Sequence, residues 1–173
     1  QALVMQPYHD ERFPPSPYYR FFRVAAQNIQ PDLSVELGVS GGGGSLHLAK
    51  GWPRGQVIGI DLVEDHKERT DYIKTHYLNF DLWIGDSIEL AQSVRLQYGP
   101  VDLLFIDTIH TRERTEREFT AWEPYLSDKA IVCFDDLNRQ EMNGFWDNLA
   151  GNKIRLDMLH SGSTEGGFGV WWK

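Results

Sequence analysis

Five short runs in this chain are rich in apolar and β-branched residues, and each carries an acid at or near its C-terminal end: "LSVELGV", "QVIGIDL", "FDLWIGD", "VDLLFID" and "AIVCFDD". Between them lie segments of helical period over 45–50, 64–77, 88–98 and 112–125, with a further helix expected over 138–149. Near-continuous apolar strands separated by helices predict a mostly parallel sheet covered on both faces, a doubly wound α/β domain. A helix over 17–29 precedes the first strand. Ser16 and Pro17 open it, Tyr18, Phe21, Phe22, Ala25 and Ile29 form its apolar stripe, and Pro31 stops it. The tail breaks the alternation. "KIRLDMLH" and "GFGVWWK" are joined by "SGSTEGG", too short for a helical crossover, so the last two of seven strands should pair antiparallel.

With 173 residues, 41% of them hydrophobic and 24% charged, the chain fits a single globular domain over 1–173. Residues 1–16 are read as a segment able to cover the site; Tyr8, His9 and Arg12, with Tyr18 and Tyr19, read either as an aromatic satellite cluster or as weaker candidates for substrate contact. No apolar run is long enough to span a bilayer, and no secretory leader is read at the start, so a cytoplasmic protein is expected. A formal net charge of −8 argues against a nucleic-acid partner. The single Cys133 lies inside an apolar strand and reads as structural. The expected partner is a small molecule; a homo-oligomer is left open.

In sheets of this kind ligands bind outside the carboxyl ends of the strands. Those ends carry Glu36, Asp61, Asp86, Asp107 and the pair Asp135–Asp136, too many acids at one edge for solvated loops alone. Glu36 precedes the run Gly41–Gly44. Bare glycines suggest close approach of a ligand to backbone, but an acid there would repel a pyrophosphate. Gly38, Ser40 and Gly43 also miss the nicotinamide-reading pattern. A cationic ligand is favoured, and S-adenosylmethionine carries adenosine, a sulfonium and an ammonium. Glu36 would meet the ammonium, Asp61 the ribose hydroxyls, and Asp86 and Ser87 the adenine edge.

Strand, E-x-G and glycine loop, acid-ending second strand, "GDS", "DLLFID" and a terminal antiparallel hairpin together resemble a class I S-adenosylmethionine-dependent methyltransferase, with a Rossmann-like sheet, over about residues 33–173. The resemblance implies cofactor contacts from Glu36, Gly38, Ser40, Gly42, Gly43, Asp61, Gly85, Asp86, Ser87 and Asp107. It implies that Gly38 and the pair Gly42–Gly43 are required, while Gly41 and Gly44 are permissive.

The acids after the fourth and fifth strands suggest a hard cation such as Mg²⁺. "FID" followed by "FDD" is similar to metal-dependent O-methyltransferases of the catechol type and of the macrolide- and aminocoumarin-sugar type. That likeness implies Asp107, Asp135 and Asp136 as ligands and an acceptor hydroxyl on a sugar, phenol or natural product. His110 lies at the offset of the expected base; it reads either as general base or substrate contact, or as a cap for the next helix. The sugar-modifying enzymes use an acid where this chain has Ile109, so their base does not carry over. Two alternatives stand beside this reading: a methyltransferase without a metal, and a non-catalytic module that binds S-adenosylmethionine. "TRERTEREF" is read as a solvated helix face, Trp83 as core, and Trp171 and Trp172 as core or a dimer interface.

Overall fold

The computed structural model describes residue 13, residues 17–159 and residues 166–173. The chain folds in the order α1 (Pro17–Ile29), β1 (Leu33–Leu37), α2 (Gly43–Gly51), β2 (Gln56–Asp61), α3 (Lys67–His76), β3 (Phe80–Ile84), α4 (Ser87–Tyr98), β4 (Val101–Ile106), α5 (Arg112–Trp122), β5 (Leu126–Phe134), α6 (Phe145–Asn148), β6 (Asn152–Arg155) and β7 (Gly169–Trp172). The seven strands form one sheet in the order β3-β2-β1-β4-β5-β7-β6. β1 to β5 pair in parallel, while β7 lies antiparallel between β5 and β6. The doubly wound sheet with its terminal antiparallel hairpin is thus present.

Period-two alternation sorts the strand side chains onto two faces. Leu104 and Ile106 of β4 and Val132 and Phe134 of β5 pack with Val94 of α4 and Trp122 of α5. Leu103, Phe105 and Cys133 turn the other way, onto Phe22 and Ala26 of α1, Ala49 of α2 and Ile73 of α3. Phe22 is fully buried, its ring 4.4 Å from that of Phe105. Burying one such side chain is worth roughly 1.5–3 kcal/mol, so α1 is held by its aromatic stripe rather than by propensity. On β1 the same alternation puts Glu36, between Val35 and Leu37, on the α2 face. Cys133 is buried and its thiol is pushed well up by that burial, which suits an inert core residue. Trp171 is buried and Trp83 packs half-buried against the same core, whereas Trp172 is exposed and lies outside it.

Several boundaries differ from the sequence reading. The helix expected over 138–149 is a 3₁₀ turn at Gln140–Met142 and the single turn of α6, separated by Gly144 in the left-handed region at φ 77°. α3 starts at Lys67 rather than Glu64, because the Glu64 carboxylate accepts from Thr70 Oγ1 (2.6 Å) and pairs with Lys74 outside the helix. After β6 the chain turns through a 3₁₀ segment at Asp157–Leu159. Ser16 and the candidates Tyr8, His9 and Arg12 lie outside the described residues. No helix among the described residues is long and apolar enough to cross a membrane.

Candidate active site

Parallel register brings the strand ends to one edge, and backbone hydrogen bonds fix the loops that leave it. Gly38 N–H donates to Ile60 (2.8 Å), Gly85 N–H to Asp61 (2.8 Å), Asp107 N–H to Leu37 (2.9 Å) and Asp135 N–H to Ile106 (3.2 Å). Gly38 has φ +85°, and a Cβ there would lie 2.0 Å from the carbonyl oxygen of Asp107. Only glycine lets the loops after β1 and β4 meet this closely.

A cleft opens above this edge in two halves that share Gly38, Ser40, Asp107 and Thr108. One half, about 250 Å³, is lined by Asp61, Gly85, Ser87, Ile109 and Arg114. Asp61 stands half-buried on its wall with Oδ2 accepting from Ser40 N–H at 2.8 Å. The other half, about 380 Å³, is lined by Tyr19, Glu36, Gly41, Gly43, Arg69 and His110.

Glu36 explains the glycine run. Its side chain is 2% exposed and accepts hydrogen bonds from the hydroxyl and the backbone N–H of Ser45, in the first turn of α2. Burial nevertheless pushes its pKa up to about 8, partly offset by the Ser45 bonds. A positive group placed beside it would favour the carboxylate over the acid. A Cβ on Gly44 would sit 2.2 Å from Glu36 Oε1, so Gly44 is required rather than permissive: it makes room for the acid. A Cβ on Gly43 would meet the Tyr19 ring at 2.3 Å, and Gly42, at φ +77°, starts the helix. A Cβ on Gly41 would meet only the mobile end of Arg69, at 2.6 Å, which agrees with the expectation for that position. Tyr19 itself is pushed up to about 12, chiefly by burial.

A sequence profile described as "Methyltransferase domain" matches residues 35–137, more than half of the chain, and takes in the C-terminal ends of β1 to β5. The chain belongs to the methyltransferase-domain family. The mycinamicin VI 2''-O-methyltransferase of Micromonospora griseorubida is 26% identical over 124 residues, 68% of this chain and 29% of the relative. The chain therefore spans less than a third of that protein's length. Among solved structures, an O-methyltransferase from Bacillus cereus in complex with SAH superposes with a TM-score of 0.74 at 17% identity, covering 96% of this chain and 84% of the other. The O-methyltransferase TomG from Streptomyces achromogenes, in complex with SAM, gives 0.70 at 17% identity over 91% and 80%. The MycE methyltransferase of the mycinamycin pathway, with Mg and SAH, gives 0.56 at 24% identity over 76% and 35%. These superpositions show that this chain has their fold.

The remaining acids gather under the shared wall of the cleft. Asp107 and Asp135 touch through their carboxyl groups, and the Asp107 pKa is raised well above the usual carboxylate range by burial, then by Asp135, Glu36 and Asp136. His110 Nε2 lies 3.2 Å from Asp136 Oδ2, and its Nδ1 lies 4.0 Å from Asp107 Oδ1. Asp136, held at φ 53°, also accepts from Arg139 Nε at 2.7 Å. Among the described residues no group of three His, Cys, Asp or Glu side chains stands ready to hold a metal ion. The expected trio is near but not assembled, because Asp136 is turned onto His110 and Arg139. The donor chemistry still fits a hard cation: Asp107 and Asp135 present oxygen ligands in a contact that either a shared proton or a cation must relieve.

Two expectations are corrected at the far end of the cleft. Asp86 does not line it. Its Oδ1 caps α4 by accepting from Ile88 N–H (2.8 Å), and Oδ2 pairs with Arg114 Nη1 (3.0 Å), which holds its carboxyl below the usual range. The supposed solvated face of α5 is instead partly a buried network. Glu118, 0% exposed, accepts from Ser87 Oγ (2.6 Å), Thr108 Oγ1 (2.6 Å) and Arg114 Nε (3.0 Å). The signal was in the sequence: Thr115, Glu118, Phe119 and Trp122 form one stripe at helical spacing, and a glutamate sits inside it.

Proposed function

We propose that this methyltransferase transfers the methyl group of S-adenosylmethionine to a hydroxyl oxygen of a small molecule, with Mg²⁺ held by Asp107, Asp135 and Asp136. The observation that carries the reading is the two-part cleft: Asp61 and Ser87 in one half, the buried acid Glu36 and His110 in the other, and Asp107 on the wall they share. S-adenosylmethionine, bound there, supplies an activated methyl group on a cationic sulfur. Mg²⁺, bound there, would hold acceptor oxygens and lower the pKa of the hydroxyl.

The residues of the chain supply position and charge. Asp61 accepts the ribose hydroxyls, and Glu36 ionises against the ammonium. With Nε2–H donated to Asp136, His110 keeps the Nδ1 lone pair on the Asp107 side, where the acceptor hydroxyl enters. In the balanced step the S–CH₃ bond breaks as the O–CH₃ bond forms, sulfur becomes a thioether, and the hydroxyl proton goes to His110.

A second reading rests on the same geometry. Asp136 already orients His110 and is already neutralised by Arg139, so a His110–Asp136 dyad could deprotonate the acceptor with no metal. Exhaustive chelation separates the two. Under the metal reading it abolishes turnover and added Mg²⁺ restores it; under the dyad reading it leaves turnover intact while His110→Ala removes it. Calorimetry showing that neither S-adenosylmethionine nor S-adenosylhomocysteine binds would sink both.

A further inference from the structure

Among the described residues two arginines line the cleft, and they are in opposite states. Arg114 is committed: its guanidinium bonds Asp86 Oδ2 (3.0 Å), Glu118 Oε1 (3.0 Å) and Ser87 Oγ (2.8 Å). Arg69 makes no side-chain hydrogen bond or ion pair among the described residues, although it is half-buried. It projects from the first turn of α3 into the half of the cleft that holds Glu36 and His110. Its place there is built. Ile73, one turn further along the same face of α3, is fully buried and packs its Cδ1 under Gly42. That contact sets α3 against the glycine loop and carries the Arg69 guanidinium to Gly41, where a Cβ would stand 2.6 Å from Nη1.

The charge around it is one-sided. Glu36 and Asp107 line this half, and Asp61 and Asp65 line the other. Once Glu36 has ionised against the ammonium, such a wall suits the cofactor's positive groups but opposes its carboxylate. Among the described residues lining this half, Arg69 is the one with a permanent positive charge. A guanidinium presents forked N–H donors that match a carboxylate.

We propose that Arg69 takes the methionyl carboxylate of S-adenosylmethionine, completing a set in which Glu36 meets the ammonium and Asp61 the ribose. The assignment rests on the cofactor reading above. The same guanidinium could instead serve a carboxylate on the acceptor, and the two sources separate by experiment. Arg69→Met keeps the aliphatic stem against the loop and removes the charge; Arg69→Lys keeps the charge and loses the fork. Each is titrated calorimetrically with S-adenosylhomocysteine and with 5′-methylthioadenosine, which keeps the adenosine and the thioether but has neither ammonium nor carboxylate.

The expected result is that Arg69→Met binds S-adenosylhomocysteine about 10-fold or more weakly than wild type, as for a lost charged hydrogen bond. Methylthioadenosine affinity should stay within about 2-fold of wild type, and Arg69→Lys should recover part of the loss. Equal losses for both ligands would show loop damage and overturn the assignment. Unchanged S-adenosylhomocysteine affinity, with a raised KM for the acceptor or without one, would overturn it too. A wild-type protein that binds neither ligand strikes down the cofactor reading itself, a different result from a variant that fails to discriminate.

Discussion

At the scale of single residues, the buried acid Glu36 couples proton, cofactor and glycine loop. Its folded pKa of about 8 lies above the ordinary glutamate value of 4.5. A native state that holds a proton more tightly than the unfolded chain loses stability as pH rises between those values. The apo protein should therefore be less stable at pH 8.5 than at pH 5.5, with Glu36 contributing a slope of up to about 1.4 kcal/mol per pH unit inside that window. Denaturant unfolding of Glu36→Gln beside wild type should show that share of the slope vanish. An ammonium beside Glu36 favours the carboxylate, so S-adenosylhomocysteine binding at pH 7 should release a proton, seen as a calorimetric enthalpy that varies with buffer ionisation enthalpy. The glycines follow from the same geometry. Gly38→Ala, with strained φ and backbone in the way, should destabilise by about 1–3 kcal/mol or more, and Gly41→Ala should melt close to wild type. The sequence could show that an acid and a glycine run were adjacent. It could not show that Gly44 faces Glu36, because that contact depends on how α2 docks over β1.

Among the elements, α5 shows how mixed charges can mask a buried stripe. The strands, their order of types and the terminal hairpin were legible because buried parallel strands leave continuous apolar runs and short connections forbid crossovers. α1 was legible from its aromatic stripe and its proline stop. The region after β5 was not: periodicity suggested one helix, while Gly144 and the packing of Phe145 and Trp146 against Phe134 divide it. On α5 the mixed charges looked solvated, but Glu118 is tied to the loops after β3 and β4 through Ser87 and Thr108. Glu118→Ala leaves Arg114, Ser87 and Thr108 without their shared acceptor and should cost about 2–4 kcal/mol, toward the lower end because Arg114 keeps 17% exposure. Chemical denaturation of Glu118→Ala, Arg114→Met and the double variant checks it: the double variant should be more stable than the sum of the single losses, since removing both charges leaves neither unpaired.

The whole molecule carries a formal net charge of −8, and its topology draws Glu36, Asp61, Asp107, Asp135 and Asp136 to one sheet edge. Five acids at one edge oppose folding unless protons, donors or cations answer them. Here the answers are the raised pKa values of Glu36 and Asp107, the Ser45 bonds, Arg139 beside Asp136 and the contact of Asp107 with Asp135. A divalent cation that bound the folded state alone would answer them more strongly than a shared proton. If Mg²⁺ occupies the Asp107–Asp135 contact, saturating it about 100-fold above its Kd should add about 2.7 kcal/mol of stability. For a chain of this size that raises Tm by roughly 5–10 °C. Asp135→Asn should abolish the Mg²⁺ shift while raising the Tm of the metal-free protein, because it removes one of two opposed carboxyls. Scanning calorimetry of both proteins with and without MgCl₂ reads both effects. A wild-type Tm indifferent to Mg²⁺, with His110→Ala inactive, assigns Asp136 to orienting His110 and leaves the acid pair to a shared proton.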